Sequence, residues 1–330
     1  MLSLHTRIEL LEKLGQYMLS NDEQWQETLA VAKISNMWFT PDHIDLAVKN
    51  IAEQFLQKPI MEQWVSNYTY ATEPKKVGIV CAGNIPLVGF HDFMCGFLSG
   101  HDVVLKLSSK DEVLMKHLIA KLTEWEPEVA KHVQISDMLK GCDAYITTGS
   151  NNTARYFEQY FGQFPHIIRK NRTSVAILTG NETDEELSLL GDDIFLHFGL
   201  GCRNVTQVYV PKDYNFEKLL AAFNKYNEYI NHNKYKNNYD YHLALYLLNR
   251  VPYMTNELLL MVENEMPFSA VAVLHYQYYT DIVAVEEKLQ GNDDVQCVVG
   301  KGHVGFGDAQ RPGISDYADG VDTMTFLSSL

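Results

Sequence analysis

From Lys76 onward the chain alternates short apolar runs with helix-length stretches, and this alternation limits its fold more than any other feature. Val77–Cys81 reads as a buried strand, Asn84-Ile85-Pro86 as a turn, and Leu87–Ser99 as a helix closed by Gly100. Val103–Lys106 and Ala144–Thr147 read as further strands, each followed by a helix, Asp111–Thr123 and Asn152–Phe161. Strands separated by helical stretches of about 10–15 residues imply βαβ units and a parallel sheet. Ligands of such sheets bind beyond the carboxyl ends of the strands. Those ends carry Ala82-Gly83-Asn84, Leu107-Ser108-Ser109-Lys110 and Thr148-Gly149-Ser150.

Before this region, residues 1–70 read as helices. Leu10, Leu11, Leu14 and Met18 recur at helical spacing, and Ile44, Val48, Ile51 and Phe55 form an apolar stripe after Pro41, with Thr40 as the N-cap. After it, Ser174–Leu178 and Val205–Val210 read as strands around a helix over Asp184–His197. Residues 214–235 read as an exposed helix and loop. Phe268–Leu274 reads as a strand, Thr280–Leu289 as a helix, and the glycine-rich tail as loop ending in a strand at Thr323–Leu327.

Length and charge narrow the function. A chain of 330 residues suggests about two domains. The formal net charge of −15 argues against a nucleic acid or an anionic membrane face as the partner. No apolar run approaches the ~20 residues of a membrane span, and the N-terminus lacks a secretory pattern. The five cysteines are odd in number and contain no Cys-x-x-Cys pair, so neither a disulfide framework nor a metal site is expected, and a reduced cytoplasm fits.

Among residues able to carry chemistry, Cys202 stands out. It lies in Gly199-Leu200-Gly201-Cys202-Arg203-Asn204, between a helix and a strand and beside a cation that favours thiolate. Taken locally it is either a nucleophile or a buried structural cysteine. Asn84 is either a turn former or an amide donor to an oxyanion. Lys106, with Ser108, Ser109 and Lys110, suits a ribose or phosphate, or is an ordinary exposed strand end. Thr148-Gly149-Ser150 suits an anion at a helix N-terminus, or simple capping. No G-x-x-x-x-G-K-[ST] loop and no H-E-x-x-H occurs. His197, five residues before Cys202, reads as structural.

In combination these pieces resemble the aldehyde dehydrogenase superfamily. VGIVCAGNIPLVGFHDFMCGFLSGHDVVLKLSSKD resembles its strand, Asn-x-Pro turn, helix and cofactor segment; ITTGS resembles its Phe-Thr-Gly-Ser segment; FGLGCRNVTQVYVP resembles its nucleophile and following strand; NEMPFSAVAVL resembles its Glu-x-Phe-Gly-Pro-Val segment. The order is the same throughout. AGNIP, GLGCRN and DYADGVDTMTFL are similar to the forms of its acyl-CoA reductase (LuxC-like) family.

The resemblance implies an α/β, aldehyde dehydrogenase-like fold: a Rossmann-type parallel-sheet cofactor domain plus an α/β catalytic domain. It places the cofactor domain with its N-terminal helices at 1–171, the catalytic domain at 172–300, and at 301–330 a tail packing back on the cofactor domain. Residue by residue, it implies Cys202 as nucleophile, Asn84 as oxyanion amide, Lys106 as ribose ligand, and Gly149 and Ser150 on the pyrophosphate. The water-activating Glu of hydrolytic members has no counterpart: gap-free alignment puts Ile168–Arg172 at its segment. Ser109 falls where NAD-preferring members carry a Glu, with Lys110 beside it, so NADPH is favoured over NADH. Glu265 falls one residue early for the cofactor-ribose Glu, with Met266 in the expected place. The implied activity is NAD(P)H-dependent reduction of an acyl thioester such as acyl-CoA to an aldehyde, in a homodimer. Reduction of an acyl phosphate and cofactor-free acyl transfer by the same cysteine are the alternatives.

Overall fold

The computed structural model describes residues 2–330, which divide into two units. The first comprises the chain up to Asn171 together with Pro312–Leu330, the second Arg172–Arg311.

The first unit opens with helices α1 (Leu4–Met18), α2 (Glu23–Ser35), α3 (Pro41–Gln54) and α4 (Lys58–Val65). The Thr40 hydroxyl accepts the His43 N–H at 3.3 Å and starts α3. Ile44, Val48, Ile51 and Phe55 are buried along its inner face. Then follow β1 (Lys76–Val80), α5 (Phe90–Leu98), β2 (Asp102–Lys106), α6 (Val113–Trp125), α7 (Val129–His132), β3 (Val133–Ile135), β4 (Ala144–Thr148), α8 (Asn151–Phe161) and β5 (His166–Arg169). The sheet is parallel throughout, in the order β3-β2-β1-β4-β5. This is a doubly wound sheet whose winding reverses at β1. Val77, Ile79, Val103, Leu105 and Ile146 share one core with Phe90, Phe93 and Phe97 of α5 and Leu114, Leu118 and Leu122 of α6. Burial of each such side chain contributes about 1.5–3 kcal/mol.

The second unit contains β6 (Thr173–Ile177), α9 (Asp184–Phe195), β7 (Val205–Pro211), α10 (Phe216–Ala222), α11 (Asn233–Asn249), β8 (Met254–Thr255), β9 (Leu260–Glu263), β10 (Val273–Tyr279), α12 (Ile282–Leu289) and β11 (Val295–Gly300). Its sheet runs β11-β6-β7-β10-β9-β8, parallel except for β8 on β9. Residues 301–311, expected in the tail, group with this unit. The Asp193 carboxylate accepts the N–H groups of Gly307 (2.7 Å) and Ala309 (3.0 Å) and holds them there.

The tail then belongs to the first unit. The Trp64 indole donates to the Tyr317 hydroxyl at 3.0 Å, and the Arg169 guanidinium donates to Thr323 Oγ1 at 2.8 Å. Arg169 also pairs with Asp92 of α5.

Several boundaries differ from expectation for identifiable reasons. Thr323–Leu327 is not a strand but lies in helix α13 (Thr323–Ser328): Asp322 caps it through the Thr325 N–H at 2.8 Å, and Met324 and Leu327 bury one face. Phe268–Val271 is loop, because Val273 N–H donates to Ala270 O at 3.0 Å and Ala272 takes a φ of 63°, which delays β10 to Val273. The helix expected from Leu87 starts at Phe90, since Leu87 has a φ of 56°. In the 214–235 stretch, Phe223, Tyr226 and Tyr235 are buried against α9 and the residues after it. Among the described residues no helix is long and apolar enough to cross a membrane.

Candidate functional site

In the first unit, the strand ends that carry the candidate residues are level. Val80 of β1 faces Lys106 of β2 on one side and Thr147 of β4 on the other. The strands are parallel, so Asn84, the Lys106–Lys110 segment and Thr148–Ser150 all emerge at one edge of the sheet. The β1 and β2 loops then touch. A Cβ on Gly83 would lie 2.5 Å from Ser108 Oγ and 2.7 Å from Ser108 Cβ, so only glycine lets them approach this closely.

Sequence reasoning missed the residue that fixes the Asn84 turn. Asp111 follows the β2 loop, and its buried carboxyl accepts the N–H of Leu87 at 2.7 Å. Burial pushes its pKa up to about 8, against the pull of neighbouring backbone N–H groups. The β2 loop is itself closed by Asp111 N–H to Ser108 O (2.9 Å) and Lys110 N–H to Ser108 Oγ (3.3 Å). Asn84, Lys106, Ser109 and Lys110 are exposed, and Ser108 is half-buried.

At the end of β4, Ser150 caps α8 by accepting the Thr153 N–H at 3.3 Å. Gly149 lets that helix sit close to the strand end: a Cβ there would lie 3.1 Å from Thr153 Cβ and Phe157 Cε2. Gly83 and Gly149 thus let the β2 loop and the start of α8 sit close to the strand ends, beside the exposed Lys106 and Lys110. Lysine ammonium groups, serine hydroxyls and the N–H groups of a helix N-terminus are of the kind that suit the phosphates and ribose of a dinucleotide. Ile168 and Arg169, at the position of the missing water-activating base, lie on β5, with Arg169 buried against Asp92.

In the second unit, α9 begins with a capping box between Thr183 and Glu186 and ends at Phe195. His197 (φ 54°), Phe198 (φ 56°) and Gly199 (φ 73°) then take left-handed conformations. The Phe198 ring is seated against Tyr229 and His232, with centroids 4.6 and 4.5 Å apart. His197 is buried. The chain turns through Gly201 and Cys202 and enters β7. Cys202 is half-buried, whereas Cys81, Cys95 and Cys142 are buried and their thiols are held up by desolvation. The Arg203 Nε donates to Ala309 O at 2.6 Å, so this side chain binds the 305–311 loop.

Glu265 is exposed in the loop after β9. Gln207 Nε2 donates to Asn264 O at 2.8 Å and Thr206 Oγ1 to Pro267 O at 2.5 Å, which ties that loop to the start of β7. GKGHVG at Gly300–Gly305 spells G-x-G-x-x-G, yet it follows β11 and leads into turns, with no helix to bind a pyrophosphate. No cluster of metal-ligating side chains occurs among the described residues.

A family model described as acyl-CoA reductase (LuxC) matches residues 7–227. That segment contains every candidate above except Glu265. No curated protein matches the chain significantly. Among solved structures, aldehyde dehydrogenase 21 from Physcomitrella patens, in complex with succinate, is similar over 91% of this chain and 74% of its own, with a TM-score of 0.68 and 14% identity. A putative aldehyde dehydrogenase, PutA, from Anabaena variabilis matches over 90% and 74%, with a TM-score of 0.65 and 17% identity. A Mycobacterium tuberculosis aldehyde dehydrogenase complexed with NAD+ matches over 90% and 72%, with a TM-score of 0.65 and 15% identity. At these identities the likeness establishes an aldehyde dehydrogenase-like fold.

Proposed function

The chain belongs to the acyl-CoA reductase (LuxC) family, and from that premise we propose that it reduces an acyl thioester to an aldehyde through an acyl-enzyme on Cys202. The observation that carries this reading is the placement of Cys202: a half-buried thiol in a glycine turn between α9 and β7, inside the family-matched segment.

The Cys202 thiolate attacks the thioester carbonyl carbon and forms a C–S bond. The Asn84 amide and the Cys202 N–H stabilise the tetrahedral oxyanion, an effect of the kind whose loss costs about 3–4 kcal/mol of barrier. The C–S bond to CoA breaks and the CoA thiolate leaves, giving a thioester on Cys202. Lys106, Ser108, Ser109 and Lys110 would hold the adenosine ribose, and Thr148, Gly149 and Ser150 the pyrophosphate, of a reduced nicotinamide dinucleotide, which would supply the hydride. The resulting thiohemiacetal on Cys202 collapses, its C–S bond breaks, and aldehyde and Cys202 thiolate are released. The segment that carries a water-activating Glu in hydrolytic members is occupied here by Ile168 and the Asp92-paired Arg169. The acyl group is therefore kept for reduction.

Lys110 beside the uncharged Ser109 favours a 2′-phosphate, and so NADPH over NADH. Glu265 is the nearest carboxylate to the cofactor-ribose position, one residue before it in register. The test is to mix the purified chain with acyl-CoAs of graded length and, separately, with an acyl phosphate, and to follow cofactor oxidation and trapped aldehyde. Aldehyde formed with acyl-CoA and NADPH supports the reading. Turnover of only the acyl phosphate, or acyl transfer without cofactor oxidation, overturns it.

A further inference from the structure

We infer that Asn204 and Ser174 are positioning residues that fix the two peptide planes flanking Cys202, so that the Cys202 N–H is preset for an oxyanion; the inference rests on Cys202 accepting an acyl group. Both residues are fully buried and both hydrogen-bond the backbone of this turn; the Ser174 hydroxyl also lies 3.1 Å from Cys297 Sγ.

The Asn204 carboxamide oxygen accepts the Gly201 N–H at 2.8 Å. Its nitrogen donates to the carbonyls of Asp193 (3.0 Å), Ile194 (3.3 Å) and Leu196 (2.9 Å). Asp193 and Ile194 lie in the last turn of α9 and Leu196 caps it, where helix carbonyls need partners beyond the helix's own N–H groups. The Asn204 backbone N–H donates to Gly201 O at 3.1 Å. One residue therefore grips Gly201 at both its N–H and its C=O. In a trans peptide the C=O of Gly201 and the N–H of Cys202 point in opposite directions. With that carbonyl drawn into the turn, the Cys202 N–H is aimed out of it.

Ser174, on β6, holds the other plane. Its hydroxyl donates to Cys202 O at 3.1 Å and accepts the Cys297 N–H at 3.2 Å. The residue types follow from the partners. Position 204 must donate two N–H groups, one of them shared between carbonyls, and accept one N–H, which a short side-chain amide does and neither a carboxylate nor a hydroxyl can do in full. A preset donor needs no reorganisation when charge develops, which is what makes such a site effective.

The test compares full-length wild type, Ser174→Ala and Asn204→Ala in three measurements. These are the rate of acyl-enzyme formation from an acyl-CoA by quenched-flow mass spectrometry, iodoacetamide alkylation of the Cys202 peptide, and the thermal midpoint. Acylation is expected to fall about tenfold in Ser174→Ala, less than for outright loss of an oxyanion donor, and about a hundredfold in Asn204→Ala, at the lower end of the range for such a loss. Alkylation, which needs no oxyanion donor, stays near the wild-type rate. Ser174→Ala leaves the α9 carbonyls capped and decides the matter where Asn204→Ala does not fold. Wild-type acylation rates in Ser174→Ala, or alkylation that falls in parallel with acylation, overturn this inference alone. A wild-type chain that takes no acyl group overturns the thioester reading and this inference with it.

Discussion

The Asp111 carboxylate accepts the backbone N–H of Leu87 at 2.7 Å, so the segment that follows β2 holds the turn that follows β1. Leu87 pays for no glycine at a φ of 56°; the carboxylate and the Phe90 N–H on its carbonyl (2.9 Å) hold it there. The loop bearing Lys110 and the loop bearing Asn84 thus form one assembly.

The burial of the Asp111 carboxyl has a pH signature. The folded carboxyl titrates at about 8 rather than at its ordinary 3.8. Its contribution to stability is complete below the unfolded value and is lost as pH rises through the folded one. Over that interval the loss approaches ~1.4 kcal/mol per pH unit at most. Asp111→Asn removes this slope. Asp193, raised by burial to about 7, keeps its own slope in both proteins, so the difference between them isolates Asp111. Urea unfolding across the neutral range should show wild type losing more stability toward alkaline pH than Asp111→Asn. Equal slopes would contradict the assignment.

Asn84 is exposed and makes its proposed contribution in the transition state. Asn84→Ala should slow acyl-enzyme formation about 10²–10³-fold. The thermal midpoint should stay close to wild type, as expected for an exposed side chain. An acylation rate unchanged in Asn84→Ala would remove it from the oxyanion site.

The proposed preference for NADPH rests on Ser109 and its neighbour Lys110. Ser109→Glu sets a carboxylate where a 2′-phosphate would lie. The kcat/KM ratio for NADPH over NADH should fall about tenfold, equivalent to about 1.4 kcal/mol. A ratio that does not move would place the 2′-phosphate elsewhere.

Much of this was legible from residue order. The strand ends, the Thr40 cap and the Gly-Leu-Gly-Cys turn follow from apolar runs and from residues whose backbone preferences are strong. The positioning residues were not legible, for a physical reason. Asp111, Ser174 and Asn204 act on backbone N–H and C=O groups, which every residue carries, so no side-chain pattern marks the partner. Thr323–Leu327 shows the limit of short windows. Its β-branched and aromatic residues suit a strand, but the Asp322 cap and the burial of Met324 and Leu327 on one face make it a helix. β3 and β5 span only three and four residues, too few for a periodicity to register. In β11 a register shift between Val295 and Val298 breaks the alternation.

The central claim is a reducible acyl group on Cys202. The most direct measurement is the mass of the intact chain after incubation with an acyl-CoA in the absence of reductant, followed by peptide mapping and then by addition of NADPH. The account predicts a single acyl adduct on the Cys202 peptide, discharged as free aldehyde by NADPH and missing from Cys202→Ala. Aldehyde made by Cys202→Ala, or an acyl group carried on another residue, would contradict it.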